Sequence, residues 1–174
     1  MRSSALPINA LVAKRCFAWD KGIAANRMWT QLAAGGLVSL VTFAIHAMMT
    51  GIIIVATRHT ARITDHLDVF WRLTALLFVT MVVLMCAHVA EIAMWAAYYG
   101  LADIKVVNAD YFEFAFENYT ALGYGDAVAI GDHRLIGPIT ALNGLLLIGW
   151  SVAIIFEVMR MAEFQVGKHK PPSR

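Results

Sequence analysis

The sequence predicts an all-α membrane protein: three spanning helices, with a short re-entrant helix between the second and the third. Three observations predict it. The chain of 174 residues is 60% hydrophobic and only 15% charged, with a mean hydropathy of +0.64, against ~45–50% apolar and ~25% charged in soluble domains. Apolar runs at 32–57, 73–99 and 135–159 each exceed the ~20 residues that cross a ~30 Å hydrocarbon core as a helix. Between the second and third runs, "DYFEFAFENYTA" has the length of about three helical turns, too short to span, and glycine-bearing "LGYGD" follows at once.

Residues 1–31 form a basic, mixed N-terminal segment, and 32–57 the first spanning helix. Residues 58–72 are a short connector with Arg58, Arg62, Asp65 and Asp68, placed on the cytoplasmic side. The excess length of the spans implies tilt. Trp71 and Trp95, with Tyr98 and Tyr99, lie toward the ends of the second span, as an interfacial aromatic belt does. Residues 100–134 hold six of the chain's twelve acids and only Lys105 and Arg134 as bases. The positive-inside rule counts bases, so this region is expected on the non-cytoplasmic face. Within it Asp110 is a candidate N-cap. A short helix running into glycine-bearing extended chain survives at membrane depth only where protein buries it or water lines it. The third helix, 135–160, is followed by a cytoplasmic tail, 161–174, expected to be disordered.

Composition excludes several classes. A net charge of +2 gives no electrostatic footprint for nucleic acid. Cys16 and Cys86 stand far apart in unlike settings, so neither a disulfide framework nor a thiolate metal site is expected. No short apolar stretch with a small-residue cleavage site follows Met1, so no cleaved signal peptide is expected. There is no internal repeat and no segment suited to a nucleotide- or ligand-binding domain.

The stretch "ENYTALGYGD", 117–126, places two glycines around one tyrosine and closes on aspartate. Glycine permits positive φ, so Gly123 and Gly125 let successive carbonyls face one side. Helix, short re-entrant helix, Gly-Tyr-Gly-Asp, helix resembles the pore module of potassium channels. "TALGYGD" is similar to their selectivity-filter signature, and the resemblance runs from about Leu73 to Met159. It implies an outer helix at 73–99, a pore helix and filter at 110–126, and an inner helix at 135–160, together a pore module over 73–160. The extra N-terminal helix resembles small bacterial channels in the inner cell membrane.

The resemblance implies a homotetramer in lipid. Backbone carbonyls of Ala121, Leu122, Gly123, Tyr124 and Gly125 would replace the water shell of K+, with ion sites at Ala121 to Tyr124. It implies filter support from Glu117, Thr120 and Asp126, and a glycine hinge at Gly144. Val152 and Phe156, four apart on one helical face, would line the cavity, Phe156 being large enough to gate it. No cofactor is expected besides the permeant ion, and no enzymatic activity. Two departures stand out. Ala121 replaces the threonine expected at the inner end of the filter and supplies no hydroxyl; Leu122 replaces the usual valine. A soluble chain would use Gly-Tyr-Gly-Asp as a simple β-turn.

Glu117 and Asp126 are expected to lie side by side behind the filter and share a proton; the alternative is a solvated glutamate in the outer vestibule. His88 and Glu91, at i and i+3, share a helix face, and a structural pair locking outer helix to pore helix is expected ahead of a metal or proton role. His46 stands alone in the first helix and is expected as a satisfied core residue. Glu157 and Arg160, again at i and i+3, are expected as a surface ion pair.

One conflict is visible in the sequence. A filter fixes the second helix as running outward, which leaves the N-terminus external. Yet 1–30 carries Arg2, Lys14, Arg15, Lys21 and Arg27, against Arg58, Arg62 and Arg72 in the connector, and the positive-inside rule favours the reverse. An N-terminal re-entrant or interfacial segment would reconcile them. The leading function is a potassium-selective channel. The alternatives are a weakly selective cation channel, a non-conducting channel-like scaffold, and a small redox or metal membrane enzyme using His46, His88 and Glu91. This last lacks the paired histidines on two helices that haem needs.

Overall fold

The computed structural model describes the backbone of residues 8–123, 127–129 and 133–168, and side chains over 26–123, 127–129 and 133–162. Among the described residues, four helices carry the fold. The first, α1, runs unbroken over Ile8–Ile63. It does not begin at Leu32, because residues 8–31 contain no proline, a single glycine, and many alanines and long side chains that favour helix. Its 56 residues make a rod of about 84 Å, longer than any bilayer. The apolar span is Asn26–Ile63, and the basic residues lie largely on the helical extension beyond it. An N-terminal re-entrant turn is therefore not how this chain resolves its charge distribution.

A turn over 64–68, narrower than the expected connector, leads into α2, Val69–Leu101. Thr64 N–H bonds Thr60 O, and Leu67 N–H bonds Thr64 O, satisfying backbone groups at the end of α1. One stripe of α2 faces the protein. Leu76, Thr80, Leu84, Ala87, Glu91, Trp95 and Tyr99 are all buried at three- and four-residue spacing, the signature of a single helix face. The opposite face leaves Phe78 and Met85 exposed, which suits lipid.

After α2 comes the short helix α3, Tyr111–Tyr119. Asp110 caps it as expected: its side chain accepts from Glu113 N–H at 2.8 Å. Two short strands flank it, β1 (Val106–Val107) and β2 (Val128–Ala129), antiparallel, with Val106 opposite Ala129 and Val107 opposite Val128. The sequence did not announce them, since two residues carry no periodicity. They tie the segment before α3 to the segment after it.

The last helix, α4, spans Ile136–Lys168 and runs further than the expected end at 160. Pro138 stands in its first turn, where a missing N–H leaves no helix bond unmade. The helix packs on α3 through two glycines seven residues apart. A Cβ at Gly137 would meet Asn118 Oδ1 at 2.6 Å; one at Gly144 would meet the Tyr119 carbonyl oxygen at 1.9 Å. The core behind this contact is Ile92, Trp95, Tyr99, Ile104, Phe114, Ala115, Tyr119, Ile136 and Leu147. A second cluster, Ile53, Leu76, Leu84 and Val158, closes the opposite end. The three long helices each hold a stretch long and apolar enough to cross a membrane: Asn26–Ile63, Val69–Leu101 and Ile136–Ala162.

Candidate functional site

The end of α3 is where the backbone leaves regular structure. Thr120 N–H still bonds Phe116 O, Ala121 N–H turns back to Asn118 O at 2.9 Å, and Leu122 N–H reaches Glu117 O at 3.1 Å. Ala121 then has φ of 54° and Gly123 φ of 53°, so left-handed residues alternate along the chain. For glycine this costs little; for alanine it costs ~1–2 kcal/mol. Alternating hands is a way to turn successive carbonyls toward one side. Gly123 fits the expectation of positive φ. Ala121 was not foreseen, since nothing in an alanine announces it.

The other expected filter residues divide in two. Leu122 is exposed, and a Cβ at Gly123 would meet open space. Tyr124, Gly125 and Asp126 lie outside the described residues, and with them the Glu117–Asp126 coupling. Glu117 itself is half-buried on the last turn of α3. The Thr120 hydroxyl is turned away from the extended chain. It donates to Phe116 O at 2.8 Å or to Glu117 O at 3.3 Å, both on α3.

Gly144 is the expected hinge, but α4 continues through it without a break. What glycine supplies here is proximity, since the Tyr119 carbonyl occupies the space a side chain would need. Val152 and Phe156 are exposed together on one face of α4. Glu157 and Arg160 form the expected surface pair, doubly bonded at 2.8 and 3.0 Å.

Beneath α3, polar groups join the helices in three layers. Tyr99 OH and Thr140 Oγ1 are 2.6 Å apart. Asn143 Oδ1 accepts from Trp95 Nε1 at 2.9 Å and from Thr42 Oγ1 at 3.1 Å, while its Nδ2 has no partner among the described residues. The third layer centres on Glu91, which is fully buried. Its Oε1 lies 2.8 Å from His46 Nδ1. Its Oε2 accepts from Tyr119 OH and lies 3.2 Å from His88 Nδ1. His88 Nδ1 is also 2.7 Å from Tyr119 OH. Ser151 Oγ stands at 2.9 Å from His88 Nε2 and 3.4 Å from His46 Nε2.

The expected pair His88 and Glu91 is present, and it does join the outer helix to α3. It is also wider than expected. His46, expected to stand alone, is one of its members, with its ring 5.5 Å from that of His88. The expectation that no two helices pair their histidines is thus corrected. The missed signal lay in topology. His46 and His88 stand at similar distances on either side of the turn at 64–68, so an antiparallel hairpin brings them to one depth. Tyr119 and Ser151 carried no such signal, because their meeting depends on how α3 and α4 dock.

Comparison with known proteins adds one positive finding. Residues 85–161 match the model of the ion channel family, described as "Ion channel". The match begins within α2, passes through α3 and the left-handed segment, and ends within α4. Neither the curated proteins nor the solved structures give a match. With three helices long and apolar enough to cross a bilayer, the chain is a multi-pass membrane protein in which residues 85–161 resemble an ion channel.

Proposed function

We propose that four copies of this chain assemble in the inner cell membrane as a passive potassium-selective channel, with 120–126 on the shared axis. The observation that carries the reading is the alternation of left-handed residues at Ala121 and Gly123, directly behind a capped nine-residue helix and inside the ion-channel match. One loop cannot enclose an ion. Four loops stack rings of carbonyl oxygens that replace the water shell of K+. The acidic segment 100–134 then faces outward, and α4 lines the cavity with Val152 and Phe156.

K+ should bind the purified tetramer in calorimetric titration, with Na+ giving no comparable heat. Mass measurement in detergent that found only monomers or dimers, or equal heats for both ions, would remove the reading. Phe156→Ala should raise resting flux, since Phe156 is wide enough to close a hydrophobic constriction; unchanged flux with normal assembly would place the gate elsewhere.

The position of Thr120 favours a second reading, a weakly selective cation channel. Its hydroxyl is spent on α3 carbonyls, and Ala121 has none, so the innermost ring has carbonyls only. Ala121→Thr should add the missing oxygens and strengthen K+ binding in calorimetry, with the K+ over Na+ preference rising in parallel. If binding and preference are both unaltered, the innermost ring does not set selectivity.

A further inference from the structure

We propose that His46, His88 and Glu91 form a binding site for a transition-metal dication of the zinc class, joining α1 to α2 beside α3. One ligand atom from each of these residues lies within 4.8 Å of the other two. Two imidazoles and a carboxylate are a zinc-type donor set; Mg2+ and Ca2+ prefer oxygen-only surroundings. Tetrahedral bonds of ~2.0–2.1 Å give ligand-to-ligand edges of about 3.3 Å. His46 Nδ1 is 2.8 Å from Oε1 and His88 Nδ1 is 3.2 Å from Oε2 of Glu91, so each imidazole already stands near that edge length from one oxygen of the carboxylate. Tyr119 OH, which touches both Glu91 and His88, is placed as a fourth donor or as support to the carboxylate.

Charge and hydrogen-bond supply point the same way. Glu91 is wholly buried at membrane depth and His46 is 1% exposed. The ion-pair partners of Glu91 among the described residues are these two histidines, with no lysine or arginine. A buried carboxylate without a cation is costly in a bilayer. Both Nδ1 atoms face this carboxylate, while both Nε2 atoms face the one hydroxyl of Ser151. A hydroxyl has one proton and two lone pairs, so it can accept from both Nε2–H groups but donate to only one. With a metal bound, both rings can carry their proton on Nε2, donated to Ser151, so that both Nδ1 lone pairs and the carboxylate face the ion; without it, Nδ1–H is free to donate to Glu91. Metal-bound histidines commonly donate their other N–H to such a support. His88, 16% exposed, is the open side through which an ion reaches the site. A proton on one ring could supply the missing charge instead, and the test separates the two.

The test uses the full chain, purified in detergent, stripped with chelator and titrated with Co2+ as a spectroscopic probe and then with Zn2+. Expected are protein-dependent visible absorption bands saturating at one Co2+ per chain, displacement by Zn2+, and a higher melting temperature with Zn2+ bound. His88→Gln and Glu91→Gln should abolish the bands, while Ser151→Ala should weaken binding about tenfold or more. Absence of bands in the wild type would overturn the proposal in favour of a proton. So would bands that persist in His88→Gln or Glu91→Gln, which would belong to histidines elsewhere, such as His59, His66 or His133. If the ligand variants fail to fold, wild type and Ser151→Ala decide: bands with unchanged affinity in Ser151→Ala overturn it, and weakened binding supports it. The readout is binding, so it stands or falls apart from ion conduction.

Discussion

Glu91→Ala should cost the metal-free protein about 3–5 kcal/mol, the scale for removing one member of a buried charged cluster. Glu91 is an acceptor shared by three helices: His46 on α1 and Tyr119 on α3 both direct polar atoms at it from buried positions. Removing the carboxylate leaves those donors in a site where water is scarce, at ~1–3 kcal/mol for each unsatisfied group. For a chain of this size each kcal/mol moves the melting temperature by about 2–4 °C, so a fall on the order of 10 °C is expected. Glu91→Gln keeps the shape and one acceptor oxygen and should fall between. Melting in detergent within a degree or two of wild type for Glu91→Ala would mean that the cluster does not hold the helices together.

Gly144→Ala should also be damaging, though less so, for a steric reason. The added Cβ would lie 1.9 Å from the Tyr119 carbonyl oxygen. That atom is backbone, and a rotamer change cannot move it away. Either α3 or α4 must shift, at a cost of ~1–3 kcal/mol for an overpacked contact, and the shift falls at the residue immediately before Thr120 and Ala121. Gly149 is the control. It lies one and a half turns further along the same helix with nothing within 4 Å of an added Cβ. Gly149→Ala should be neutral or gain up to ~1 kcal/mol from helix propensity. A hinge at Gly144 predicts another pattern: Gly144→Ala would melt as wild type and alter only channel opening. Equal melting of the two variants would therefore restore the hinge.

These two residues also show what can be read from a sequence of this kind. The spans at 73–99 and 135–159 were legible because lipid imposes a length on apolar runs, and they recur as Val69–Leu101 and Ile136–Lys168. The Asp110 cap was legible because capping is local. So were the i, i+3 pairs His88–Glu91 and Glu157–Arg160, where the helix itself sets the neighbours. The role of Gly144 was not legible. A glycine in an apolar helix looks the same whether it bends or admits a neighbour's backbone, and the choice is made by the docking of α3, a contact between helices. Ser151 and Tyr119 are in the same position. His46 was within reach, given the hairpin. The N-terminal extension of α1 is not marked by hydropathy, because the apolar signal stops near Leu32 while helix propensity continues to Ile8.

The most direct test of the channel reading is ion flux. Purified protein in liposomes loaded with K+ should release it down its gradient when a protonophore balances charge, and should do so faster than matched liposomes loaded with Na+ release Na+. A K+ release equal to that of protein-free vesicles, with the protein shown to be inserted and tetrameric, would contradict the account.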